Sequence, residues 1–337
     1  MTSRERVKKA LLFQTPDRAP RELWALPGVG MFRKPELKAM QARFPSDFAG
    51  ASAKYGASTR AQGDCSKVGN YTDEWGVVWT VGEPGVVGEI KQAILADESA
   101  IGSYRLPWEL LDQADFSKVD ESCAKADRFV KVGTFTRPFE RLQFLRGTEQ
   151  ALVDLAYGTP AVLGLLKQLH EFFVREMEMW AETAVDGVAF MDDWGSQNTL
   201  LISPAMWREI FKPLYAEYCR ILREAGKFVF FHSDGNISSI YPDLIEVGVH
   251  AVNSQLFCMN IEELGAKYRG RVTFWGEIDR QHLLPFGTPE QVKEGVRRVR
   301  RALDDGRGGV IAQCEWGVKD PAANIAAVFE AWEEPGQ

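Results

Sequence analysis

Apolar residues along the chain fall into short runs separated by stretches of helical spacing. Residues 188–191, 228–231, 250–252, 272–275 and 310–312 are nearly continuous apolar runs of strand length, as expected of strands covered on both faces. Between them the period changes to three or four. Met206, Ile210, Leu214, Tyr218 and Ile221 with Leu222 share one helical face. Ser203-Pro204 supplies the cap residue and first-turn proline that begin this helix, Pro213 is expected to kink it, and Gly226 ends it. Helices are also predicted over 237–246 and 261–268. Thr288-Pro289-Glu290-Gln291 reads as a capping box opening another, and a last helix begins near Pro321.

Alternating strands and helices predict a parallel sheet with helices on both sides. Residues 129–132 and 22–25 add two candidate strands. The count favours an α/β fold of the (β/α)8 TIM-barrel type, with an N-terminal extension, as one domain over residues 1–337. A doubly wound open sheet is the alternative, but neither GxGxxG nor GxxxxGK[ST] occurs to support nucleotide binding there. Residues 60–100 differ: Tyr71 to Trp79 alternate and are rich in turn formers, which predicts an inserted β-hairpin.

Composition narrows the function. The 337 residues are 45% hydrophobic and 26% charged, ordinary for a soluble globular chain, and no apolar run reaches the roughly 20 residues of a membrane helix. A formal charge of −7 disfavours nucleic acid or an anionic membrane as the main partner. Five scattered cysteines (65, 123, 219, 258, 314) form no disulfide framework, and the start of the chain is amphipathic, so a cytoplasmic address is expected.

Barrel active sites lie at the C-terminal ends of the strands. The predicted strand ends carry Asp192, Asp193 and Trp194, then His232 and Asp234, Asn253 and Gln255, Glu277 and Asp279, and Gln313, Cys314 and Glu315. Imidazole, carboxylate and thiolate are all zinc ligands, so His232, Asp234 and Cys314 are the expected metal set, with one coordination position left for a reactant. Each has a plainer reading. Taken alone, His232 is explained by a bond to a backbone carbonyl, Asp234 by capping the next helix, and Cys314 by burial; only their joint placement at strand ends favours the metal. Asp193 and Glu277 are the candidate catalytic groups, and Asp192, Trp194, Asn253, Gln255 and Gln313 the candidate substrate contacts. Ten tryptophans, several near strand ends, suit a planar or bulky apolar partner or simply fill the rim.

Phe231-His232-Ser233-Asp234-Gly235-Asn236, followed by Tyr241-Pro242-Asp243 and Gly248, resembles the His-x-Cys-Gly-Asn segment of the uroporphyrinogen decarboxylase superfamily. The opening segment through Pro16-Asp17-Arg18-Ala19-Pro20, Asp73-Glu74-Trp75-Gly76, Gly133-Thr134-Phe135 with Pro138-Phe139-Glu140, Asp192-Asp193-Trp194-Gly195, and Trp275-Gly276-Glu277-Ile278-Asp279 match as well, covering almost the whole chain. The resemblance implies a (β/α)8 barrel and one of two chemistries. One branch decarboxylates uroporphyrinogen without a cofactor. The other looks like zinc-dependent methyltransferases that move a methyl group between a corrinoid protein and a thiol.

In the second branch zinc sits on His-x-Cys and a later Cys, positions held here by His232, Asp234 and Cys314. Aspartate at 234 departs from that pattern and makes a harder site. The decarboxylase branch resembles this chain less. Its arginine-rich N-terminal segment falls on Trp24 to Arg33, where one arginine remains, too few to clamp a polycarboxylate. The expectation is therefore a zinc methyltransferase-like enzyme acting on a small molecule. No Asp-x-His-x-x-Gly corrinoid signature occurs, so any corrinoid rides on a separate protein. Related barrels are commonly homodimers. Alternatives are a cofactorless decarboxylase of a cyclic or aromatic acid, a zinc-assisted hydrolase or lyase, and a barrel that binds without catalysis.

Overall fold

The structure is a computed structural model and describes residues 1–335. Its strands are β1 (Arg21–Ala25), β2 (Phe48–Ala49), β3 (Gly69–Thr72), β4 (Val78–Val81), β5 (Glu89–Ile90), β6 (Phe129–Gly133), β7 (Gly187–Met191), β8 (Phe228–Ser233), β9 (Ala251–Ser254), β10 (Thr273–Trp275) and β11 (Val310–Trp316). Eight form one parallel sheet in the order β1-β11-β10-β9-β8-β7-β6-β2. The sheet closes where Asp47 N–H donates to the Arg21 carbonyl (3.0 Å) and Arg21 N–H to Asp47 Oδ2 (2.7 Å). The expected (β/α)8 barrel is the observed fold.

Side chains alternate across every barrel strand. Val188, Phe190, Val229, Phe231 and Val252 belong to the large core between sheet and helices. Phe129, Phe230, Ala251, Trp275 and Ile311 point inward, where Phe48 and Val7 and Leu11 from the helix Ser3–Leu11 complete a second core. The N-terminal extension thus plugs the end of the barrel opposite the strand C-termini.

Four expectations change. The eighth strand, β2, has two residues and no apolar run, so periodicity misses it. The inserted segment is a three-stranded antiparallel sheet, β3-β4-β5, not a hairpin. Pro213 does not kink one helix: the helices Pro204–Ile210 and Lys212–Glu224 are separate, and the proline sits in the first turn of the second. The helix predicted over 237–246 is only Tyr241–Val247, stopped by Gly248. Two strands also run further than expected, so Asn253 lies within β9, and Gln313, Cys314 and Glu315 lie within β11. Among the described residues no helix is long and apolar enough to cross a membrane.

Closure depends on a buried carboxylate. Asp47 accepts from Arg6 Nη1 (2.6 Å), Arg18 Nη1 (2.7 Å), Ser3 Oγ (2.8 Å) and Arg21 N–H. Burial alone would raise its carboxyl, but bonds from Arg18 and the Arg21 amide hold it below the usual value. A depressed carboxylate stabilises the fold above its unfolded pKa and loses that contribution as pH falls through the folded one. Asp47→Asn is expected to cost about 2–4 kcal/mol in urea unfolding at pH 7, with the gap to wild type closing below about pH 4. An equal gap at both pH values would refute the assignment.

Candidate metal centre

His232, the penultimate residue of β8, points inward at the mouth formed by the strand C-termini. Its Nδ1 lies 2.5 Å from Asn253 Oδ1. Asn253 is fully buried, and its Nδ2 donates to the Trp275 carbonyl and to Gln313 Oε1 (3.2 Å). A carbonyl only accepts, so the amide orientation is fixed and Oδ1 receives a proton from Nδ1. The Nε2 lone pair of the neutral ring then faces the mouth, the tautomer a metal requires.

Two carboxylates face that lone pair. Asp193 Oδ1 is 3.7 Å and Asp234 Oδ1 3.6 Å from Nε2. They meet because the two strand-end loops press together without side chains: a Cβ on Gly195 would stand 2.5 Å from Asn236 N, and one on Gly235 2.2 Å from the Gly195 carbonyl oxygen. Gly235 also has φ +74°, a conformation that favours glycine. Asp234 N–H donates to Asp193 Oδ1 (2.9 Å) and Gly195 N–H to the Asp234 carbonyl (3.0 Å).

One ligand atom from each of Asp193, His232 and Asp234 lies within 4.8 Å of the others. The edge of a tetrahedron of ligands about 2.1 Å from zinc is about 3.4 Å, close to the separations from Nε2. Asp234 Oδ1 is buried and has no hydrogen-bond partner. A lone pair turned toward a buried, unpartnered carboxylate oxygen is repulsive unless a cation lies between them. A divalent ion would leave the set formally neutral. The residues present fit such an ion through one nitrogen and two oxygens.

Cys314 is not among them. It is fully buried on the outward face of β11, in the core against the helices, while its neighbours Gln313 and Glu315 point inward. Burial, with nearby Asp320, raises its thiol, the reverse of what a thiolate ligand needs. Asp193 is the third residue of the cluster instead.

The residues expected to contact substrate occupy different settings. Asp192 is fully buried and accepts from Phe139 N–H (2.8 Å), Glu140 N–H (2.7 Å) and Tyr215 Oη (2.6 Å), so it anchors the start of the helix Pro138–Arg146. Trp194 is fully buried, stacked on Phe139 at 4.0 Å, with Nε1 bonded to Tyr215 Oη. Buried Asn253 bonds His232 Nδ1 and, through its own amide N–H, Gln313 Oε1, while Gln313 Nε2 has no hydrogen-bond partner. Gln255 accepts from Gly235 N–H (3.1 Å) and lines a pocket shared with Gln197, Phe257, Cys258, Glu277 and Gln281.

Glu277 is 2% exposed and both its oxygens lack hydrogen-bond partners. Burial pushes its carboxyl up to about 7, although Arg280 and His232 pull the other way. Burial likewise raises Asp193, with Asp234 adding to the shift and His232 opposing it.

Residue patterns missed two neighbours. Arg280 pairs with Asp234 Oδ2, with Glu315 Oε1 (2.7 Å) and, through Nε, with Glu277 Oε2 (3.7 Å). Its position just after the β10 strand end was the available signal. Glu140, raised to about 7 by burial and then by Asp193, also adjoins the centre.

A family model described as Uroporphyrinogen decarboxylase (URO-D) matches residues 122–335. Among solved structures the chain is similar to a methyltransferase from Methanosarcina mazei, with 16% identity, 99% of this chain and 98% of that chain covered, and a TM-score of 0.72. A glycosylated endo-β-1,4-xylanase from Gloeophyllum trabeum is similar at 12% identity over 95% of this chain and 99% of that one, with a TM-score of 0.45. No curated protein matches. At these identities the structural likeness concerns the fold.

Proposed function

The chain belongs to the uroporphyrinogen decarboxylase family, and from that premise we propose that it is a zinc-dependent, methyltransferase-like enzyme. It would move a methyl group between a corrinoid protein or small methylated molecule and a thiol or other nucleophile. The observation that carries this reading is His232, held by Asn253 with Nε2 facing Asp193 and Asp234. Those three residues would hold the ion, which when bound supplies Lewis acidity and lowers the pKa of a thiol or water.

The chain's own groups have distinct tasks. Asn253 keeps the proton on Nδ1. Arg280 ties Asp234 to Glu315 and fixes the orientation of the Asp234 carboxylate. Glu277, with no donor on either oxygen, accepts the proton released by the incoming nucleophile, and its value near 7 suits that exchange at neutral pH. The methyl group then passes to the nucleophile as its bond to the donor breaks. Two carboxylates in place of thiolates make a harder centre, so an oxygen nucleophile competes with a thiol.

Decarboxylation of a polycarboxylate has less support. Arg33, the one arginine of the segment after β1, is committed to Glu36 and to the carbonyls of Val318 and Asp320.

The test combines metal retention with turnover. Protein loaded with zinc and desalted should keep about one ion per chain, and should demethylate methylcobalamin only when a nucleophile is supplied. Failure to retain zinc would sink the proposal. Product release without a methyl acceptor would favour a hydrolase or lyase.

A further inference from the structure

The geometry points to a binding subsite inside the barrel, beneath Trp24, that takes a neutral aromatic alcohol. Its floor is an ion pair in an otherwise aromatic interior. Lys131 of β6 places Nζ 2.8 Å from both oxygens of Glu22 on β1, and 3.6 Å from the centre of the Trp275 ring. Trp275 Nε1 donates to Glu22 Oε2 (2.7 Å). A charged pair this deep costs desolvation energy that packed hydrocarbon would avoid.

The pair is not sealed. Its side chains keep 9% and 12% of their exposure, and the inward-facing Ala189 above it is only half-buried. Gly133, paired with Ala189 between interior strands, is exposed, and a Cβ there would meet nothing within 4 Å. Two small inward residues on adjacent strands, with the residual exposure of the pair, leave room for a hollow on the mouth side of Lys131 and Glu22. Trp24 forms one wall. It is half-buried, with its ring 5.5 Å from His232 and 5.0 Å from Trp275. Half-buried Met191 lies beside His232 on the next strand.

The lining selects the ligand. The floor is neutral overall, so a carboxylate meets Glu22 and an ammonium meets Lys131, each repelled by one partner. A hydroxyl donates to Glu22 and accepts from Lys131 together. The open part of Trp24 offers a flat apolar surface on which an aromatic ring stacks. Such a ligand would lie next to the Nε2 face of His232. The inference deepens the reading above and rests on it for catalysis, though not for binding.

The probe is phenol, titrated by saturation-transfer NMR into protein with and without zinc, beside benzoate and benzylammonium. Gly133→Leu fills the hollow; Gly133→Val, a smaller plug, decides if leucine is not accommodated. Saturable phenol binding is expected, at least ~10-fold tighter than benzoate or benzylammonium, and weakened at least ~10-fold by the plug while zinc retention stays unchanged. Phenol binding that ignores the plug, or benzoate or benzylammonium binding as well as phenol, overturns the subsite. Phenol binding that is lost with the plug in protein unable to hold zinc would uphold the subsite and defeat only the metal reading.

Discussion

Cys314→Ala should leave zinc binding unchanged, whereas His232→Ala and Asp234→Asn should nearly abolish it. The contrast is unusual because resemblance to the zinc methyltransferases assigns the later cysteine to the metal. In this chain that cysteine sits in the hydrocarbon layer behind the barrel wall, and removing one buried sulfur there costs some packing and no ligand. His232 and Asp234 each supply an atom facing the others, and Asp193→Asn should behave like Asp234→Asn. Loss of a ligand should exceed the ~10–100-fold loss of metal affinity that a supporting partner causes. Asn253→Ala should fall in that smaller range, because it frees the ring to turn and the tautomer to change. Competition for zinc against a chromogenic chelator gives all five affinities. A Cys314→Ala protein that loses zinc while remaining folded would overturn the assignment of ligands.

Asp192→Ala should be among the most destabilising single changes at the mouth, by about 3–5 kcal/mol. It strips a fully buried acceptor from the amides of Phe139 and Glu140 and from Tyr215 Oη. Each buried donor left unmet costs about 1–3 kcal/mol. The consequences reach the neighbours. Phe139 carries the stack with Trp194, and Glu140 borders the metal centre. Tyr215→Phe removes one of the three donors to Asp192 and leaves the buried Trp194 Nε1–H without its acceptor, so it should cost less, about 1–3 kcal/mol. Urea unfolding at pH 7 separates the two variants. If Asp192→Ala unfolds within 1 kcal/mol of wild type yet loses substrate affinity, Asp192 binds substrate after all.

These residues also show how far a sequence reading reaches. Apolar runs at 188–191 and 228–231 located strands because a strand covered on both faces must be apolar throughout. Phe48 and Ala49 escaped because two residues carry no period. Polar groups after the runs marked the mouth of the barrel, and His232, Asp234 and Asp193 do converge there. Lys131 left a faint signal, a lysine within an apolar run, but its partner lies on a strand more than a hundred residues earlier.

Local pattern by itself supplied seven of the eight barrel strands, the end of the barrel where polar strand-end groups gather, and the residue types available there, since each follows from spacing along the chain. Tertiary structure alone decided which side chains share a site. In a barrel strand, direction alternates residue by residue, so the continuation of β11 through Trp316 turns Cys314 to the helices and Gln313 to the interior. Asp193 and Asp234 meet only because Gly195 and Gly235 let two distant loops touch, a contact no spacing encodes.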